Sequence, residues 1–148
     1  MNSGNGKINA GEIHIVLDGE PITLRPTMRA ADLISNQLGG FAKARQAIYD
    51  ENRNLIVSII RIGSGMKEEA ARKLPEMLWR NGLNLKILMP LLEYLSVLNN
   101  GGRPLPADQK AVFRIIEGDS NEIDEDNMIK LEHQFADEDQ SSEKNDLH

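Results

Sequence analysis

The chain contains no cysteine, which removes disulfides, thiolate metal sites and cysteine nucleophiles together and leaves an intracellular protein as the simplest expectation. Aromatic residues are scarce too, at 4% of the chain against 40% hydrophobic residues overall. A core must then be built from Leu, Ile, Met and Ala, a bias that favours helix packed on helix. Long apolar runs are missing as well. The longest, Leu85 to Leu98, is broken by Lys86 and Glu93 and falls short of the ~20 residues that cross a bilayer, so no membrane partner is expected. Residues 1–10 are polar, rich in Gly and Asn, with a single Lys7. They lack the apolar centre of a secretory signal and read as a disordered N-terminus. At 148 residues the chain has room for one modest core rather than two.

Charge is present but unevenly placed. Residues 1–116 carry 15 Lys+Arg against 11 Asp+Glu, whereas residues 117–148 carry 2 against 12. The formal net charge of −6 therefore belongs to the C-terminal segment. A block of like charge repels itself and buries little apolar surface, so the reading for this segment is a solvated, largely disordered tail.

From Gly11 onward, two β-favouring runs flank an Asp18-Gly19 turn signal, the mark of a β-hairpin. Ile13, Ile15 and Leu17 share one face with Ile22 and Leu24, which demands a cover. Pro21 points to an edge or bulged start of the second run, and Pro26 ends it. Thr27 is placed to cap a helix from Met28 to Leu38, stopped by Gly39-Gly40, and a second helix runs from Phe41 to Tyr49. Leu55 to Ile62 has strand-like composition without clear periodicity. Its helical neighbours decide for a helix, with Asn54 as the candidate cap and Gly63-Ser64-Gly65 as the stop. Lys67 to Arg80 is expected to be helical with a kink or restart at Pro75. Leu85 to Leu98, interrupted by Pro90, is apolar nearly all round and so is expected at the centre of its bundle.

The expected architecture is thus mainly α: a disordered segment over residues 1–10, a hairpin plus a small bundle of four to five helices over residues 11–99, and a linker with an acidic tail over residues 100–148. Within that tail, Ile123 to Phe135 places Ile123, Met128, Leu131 and Phe135 at loosely helical intervals, a segment that would order on meeting a partner.

Catalytic signatures are not found. His14, His133 and His148 have no metal-ligand spacing, and Ser58, Ser64 and Ser96 have no nucleophile elbow. Gly63-Ser64-Gly65-Met66-Lys67 and Gly4-Asn5-Gly6-Lys7 resemble phosphate loops only in part, lacking the spacing and the trailing Ser/Thr. Asp119 to Asp126 is acid-rich, but Ile123 and Asp124 break the calcium-loop pattern. Arg25, Arg29, Lys43, Arg45 and Arg61 are scattered among acids without a stacking platform, so they read as an ordinary mixed-charge surface and nucleic acid is not an expected partner. No catalytic, cofactor-binding or metal-binding residue is assigned. Apolar density remains: Trp79, Leu83, Leu85, Leu88, Leu91, Leu92, Tyr94 and Leu95. Most of it belongs in a core, but a groove for a partner helix is the functional alternative, with Trp79, Leu85, Leu88, Leu92 and Leu95 as its candidate residues.

The run Val16-Leu17-Asp18-Gly19-Glu20-Pro21-Ile22-Thr23-Leu24-Arg25-Pro26-Thr27, followed by an Ala/Leu helix that breaks at Leu38-Gly39-Gly40, resembles the opening of the phage and gene transfer agent tail assembly chaperone family, also labelled a gene-transfer-agent tail-tube-like family. Leu17, Asp18, Gly19, Leu24, Arg25, Pro26 and Thr27 carry the motif. The likeness continues through Ile56 to Gly65, Lys67 to Gly82 and Leu83 to Leu98, covering Gly11 to Asn99; the long acidic tail departs from the family. The resemblance implies a non-enzymatic protein without cofactors, made with phage, prophage or gene transfer agent tail genes in the cytoplasm of a bacterial host. Such a protein binds the long tape-measure protein and keeps it soluble while tube subunits polymerise around it. Other tail proteins, and a second copy of the chain, are further partners in that setting. A structural, tube-associated tail component is the alternative, weakened because only one hairpin is legible. An unrelated helical adaptor follows, and an enzyme comes last.

Overall fold

The computed structural model describes residues 10–118, with side chains as far as residue 113. The expected disordered N-terminus and acidic tail lie outside the described residues, as do His133, His148 and the run Asp119 to Asp126. Two strands, β1 (Ile13–Leu17) and β2 (Glu20–Leu24), form an antiparallel hairpin with Ile13 opposite Leu24, Ile15 opposite Ile22 and Leu17 opposite Glu20. Asp18 and Gly19 both take positive φ, 51° and 81°, as a two-residue turn matching the strand twist requires. The alternation predicted from the sequence is realised: Ile13, Ile15, Leu17, Ile22 and Leu24 are buried, while His14 and Val16 face outward. Because the sheet has only these two strands among the described residues, Pro21 interrupts no central ladder.

Helix α1 (Met28–Gln37) starts where the Thr27 hydroxyl accepts the Ala30 amide at 3.0 Å, one of the orphan donors every helix start leaves. Helix α2 (Phe41–Tyr49) follows directly after Gly40. The ambiguous stretch forms α3 (Arg53–Ser64), capped by Asn52, whose side chain accepts the Leu55 amide at 3.2 Å. The cap is thus Asn52 and not Asn54. Ile56, Ile59, Ile60 and Gly63 lie buried along α3 at intervals of three and four, so a helical face that fits the core overrides the β-branched composition. Lys67 to Arg80 splits into a single turn, α4 (Glu68–Ala71), and α5 (Leu74–Asn81), with Pro75 in the first turn of α5, where its missing amide hydrogen removes no helical bond. That split gives six helical segments before Asn100 rather than four or five.

Helix α6 (Leu85–Asn99) runs through Pro90 and is capped by Asn84, which accepts the Lys86 amide at 3.0 Å. Eleven of its residues are buried, and it packs against β1, α1 and α2. It is the central helix, as its composition requires. The covered face of the hairpin rests on α6, α3 and α5. Two charged side chains are buried within this core, Arg45 on α2 and Glu93 on α6, carried by helices that pack against each other.

The folded unit does not end at Asn99. Gly101-Gly102 turns the chain back, and Gly102 donates its amide to the Val97 carbonyl at 2.9 Å. With φ at +79°, and with a Cβ there only 2.9 Å from the Pro26 carbonyl oxygen, this position holds glycine for backbone geometry and for space. Leu105 and Phe113 are then buried, at 8% and 2% exposure, and α7 (Ala107–Gly118) packs on α6. From residue 100 the sequence predicts a proline-containing linker, a weak amphipathic patch from Gln109 to Ile116 and then the tail, all outside the folded domain. That expectation fails because two apolar anchors, six and fourteen residues beyond Asn99, give the turn something to bury.

Candidate functional site

The motif residues hold the fold together. Leu17 and Leu24 are fully buried. Asp18 donates its amide to the Asn81 side chain at 2.9 Å and pairs its carboxylate with Arg80 at 3.3 Å, tying the hairpin turn to the end of α5. Arg25 donates its amide to the Gly63 carbonyl at 2.8 Å and its carbonyl accepts the Tyr94 hydroxyl at 2.6 Å, so the backbone of one residue joins the end of β2 to both α3 and α6. Pro26 packs against Gly11 and Gly102, and Thr27 caps α1.

Of the five candidate partner-binding residues, three are core. Leu88, Leu92 and Leu95 on α6 are buried, because α6 is packed against β1, α1, α2 and α7. No partner can reach them without opening the domain, which corrects their assignment to an exposed groove. Leu85, in the first turn of α6, is half-buried. Trp79 lies on the outer side of α5 with 71% of its surface exposed, and the Arg53 guanidinium from the start of α3 sits 5.6 Å from its ring centroid. Leu83, also half-buried, lies between the two in sequence. The surviving surface is therefore Trp79 at the end of α5, one large amphipathic aromatic with a cation over its ring, followed in sequence by the part-buried Leu83 and Leu85. Trp and Arg are the side chains that most often carry binding energy at protein interfaces.

The serines serve their own backbone. Ser58 donates to the Asn54 carbonyl, Ser96 to the Leu92 carbonyl, and Ser64 donates to the Arg61 carbonyl while accepting the Met66 amide. His14 stands beside Thr23, with Nδ1 3.1 Å from the threonine hydroxyl oxygen, its cross-strand neighbour. The glycines of Gly63-Ser64-Gly65 also have structural roles: Gly63 lies against the Tyr94 ring, and Gly65, at φ 69°, ends α3. Among the described residues, no group of three or more His, Cys, Asp or Glu side chains is arranged to hold a metal ion, and no helix is long and apolar enough to cross a membrane.

A second feature escaped the sequence. Arg25, Arg29 and Arg61, which read as scattered charges, line one open groove of about 640 Å³ between the start of α1 and the end of α3, together with Leu33, Ile62 and Met66. Arg25 and Arg29 sit four residues apart, a hint in hindsight, but Arg61 joins them only through packing of α3 on α1 and β2. Another concavity, between the hairpin turn and α5, brings Asp18, Glu20 and Glu76 together with Arg72, Lys73 and Arg80. Arg80 there pairs with both Asp18 and Glu76, so its charges are largely internally matched.

In comparisons with protein-family models, curated proteins and solved structures, nothing matches this chain.

Proposed function

We propose that this chain is a non-enzymatic binding protein of the phage-type tail assembly chaperone class, which holds the helical tape-measure protein in the cytoplasm of a bacterial host while tail tube subunits polymerise around it. The sequence resemblance is the source of this reading. The hairpin followed by helices agrees with it, as does the structural use of each motif residue. The observation that carries the binding role is Trp79: the single tryptophan of the chain is left 71% exposed beneath Arg53, although the core is poor in aromatics and has uses for large apolar side chains. An amphipathic helix laid across the end of α5 would bury the indole, with the part-buried Leu83 and Leu85 next along the chain.

The test is co-expression with a phage-type tape-measure protein. The tape-measure protein becomes soluble and co-purifies with the native chain, and Trp79→Ala or Leu85→Asp releases it while leaving the domain folded. Concentration-dependent assembly of the chain into tubes, without any effect on the tape-measure protein, would replace this reading with a structural tail component.

A further inference from the structure

The arginine groove has the chemistry of a receptor for an acidic amphipathic segment. No carboxylate is among its thirteen lining residues. Arg25 lies 3.6 Å from the Glu12 carboxylate, which offsets part of its charge. Arg29 and Arg61, both exposed, make no ion pair with another described residue. Arg29 also stands in the first turn of α1, where no acidic residue accompanies it. A helix start carries partial positive charge that disfavours a cation, so a docked anion there relieves a repulsion as well as forming an attraction. Leu33, Ile62 and Met66, half-buried, line the same groove and give it an apolar part beside the cations.

The chain itself carries a segment that matches this surface. Residues 119–148 hold 11 Asp+Glu and 2 Lys, a formal charge of −9 opposite three arginines. Within them Ile123, Met128, Ile129, Leu131 and Phe135 alternate with Asp124, Glu125, Asp126 and Glu132, so the acids and the apolar residues come in one short run. The tether fixes the reach: Glu122 lies four residues past the end of α7, within ~14 Å of it when extended, and Phe135 seventeen residues past it, within ~60 Å, against a ~13 Å radius of gyration for a domain of this size.

We propose that the acidic segment Glu122 to Phe135 seats in the Arg25, Arg29 and Arg61 groove of its own chain, carboxylates on the arginines and apolar side chains on Leu33, Ile62 and Met66. Tethering makes this contact effectively concentrated even if each pair is weak. The groove is distinct from the Trp79 surface and does not depend on what binds there.

The absence of cysteine from the chain gives a clean test on the full-length protein. A nitroxide on Asn127→Cys is read by paramagnetic broadening of backbone amides. In low salt the amides of residues 25–37 and 58–66 lose more than half their intensity, while those of α5 keep theirs. The effect disappears at about 1 M salt, where screening acts within ~3 Å, and in the Arg29→Glu, Arg61→Glu double variant, whose own amide spectrum reports whether it is folded. If that variant does not fold, Arg61→Gln and the salt series give the same reading. Broadening no stronger in the groove than elsewhere, or indifferent to salt, overturns the proposal. Broadening that appears only when labelled chain is mixed with isotopically enriched, unlabelled chain overturns it in favour of a second copy as the occupant.

Discussion

The Tyr94 hydroxyl donates a 2.6 Å hydrogen bond to the carbonyl oxygen of Arg25, joining the middle of the central helix to the exit of the hairpin across 69 residues of sequence. The same carbonyl also accepts the Thr27 amide at 3.0 Å, so Tyr94→Phe leaves it with a partner and costs about 1 kcal/mol rather than the larger penalty of an orphaned acceptor. Burial pushes the Tyr94 phenol well above its ordinary value of 10.0. A group whose folded value is raised contributes stability that is complete below its unfolded value and declines as pH rises beyond it. The advantage of the native chain over Tyr94→Phe should therefore be constant up to about pH 10 and shrink above it. Paired urea titrations of the two proteins across that range measure the difference, with every other titrating group common to both.

Gly63 predicts a second cost at the same junction. A Cβ added there would stand 2.9 Å from Tyr94 Cε2 and 3.1 Å from Leu24 Cδ2. In an exposed helix, glycine to alanine gains about 1 kcal/mol. Here the buried Tyr94 ring and the inward-facing Leu24 must both move, and overpacking of this kind costs about 1 to 3 kcal/mol. Gly63→Ala should thus lower the urea midpoint, while Ala42, exposed on α2, should tolerate the reverse change with a loss of about 1 kcal/mol. A rise in the midpoint for Gly63→Ala would mean that α3 and α6 are less tightly packed than the geometry indicates.

What the sequence disclosed and what it hid divide along local and long-range lines. The hairpin was legible because Asp18-Gly19 and the period-two alternation are local signals, and α6 because its composition alone demands the centre of a bundle. The choice of helix for Leu55 to Ile62 was correct, but only because the residues packed around it settle an ambiguous run; the cap slipped from Asn54 to Asn52, the usual error at element ends. The true limit of the domain was hidden. Leu105 stands between two prolines and Phe113 in a weak amphipathic patch, Gln109 to Ile116, and nothing local says that a Gly-Gly turn lays them on α6. At the candidate site, Trp79 is exposed whereas Leu88, Leu92 and Leu95 are buried, since density of leucine does not reveal which side of a helix is covered. The convergence of Arg25, Arg29 and Arg61 was invisible for the same reason.

The extended boundary has a direct consequence for stability. Phe113 is 2% exposed on α7, so Phe113→Ala removes a buried ring and leaves a cavity, at a cost of about 3 to 5 kcal/mol. Against a typical total of about 5 to 15 kcal/mol, that loss is readily seen in a thermal or urea transition. A chain ending at Asn99 should be destabilised at least as much, since it loses Leu105 and Phe113 together and exposes the part of α6 they cover. If truncation after Asn99 leaves the transition unchanged, α7 adds nothing to the fold and residues 11–99 suffice.

Trp79 offers the reading most directly tied to function. With most of its ring in water and only the Arg53 guanidinium over it, Trp79→Ala should change stability by less than about 0.5 to 1 kcal/mol, the size of an exposed cation–π contact. At an interface the same truncation should cost about 2 kcal/mol or more, as buried tryptophan anchors do, which is a fall in affinity of about thirtyfold. Because the chain has one tryptophan, its fluorescence reports on this position alone: emission should begin at long wavelength and shift to shorter wavelength as a helical tape-measure peptide is added. Arg53→Ala should leave that shift in place with a smaller affinity change. A bound peptide that leaves the emission unmoved would place the partner elsewhere on the domain, and the exposed indole would then need another explanation.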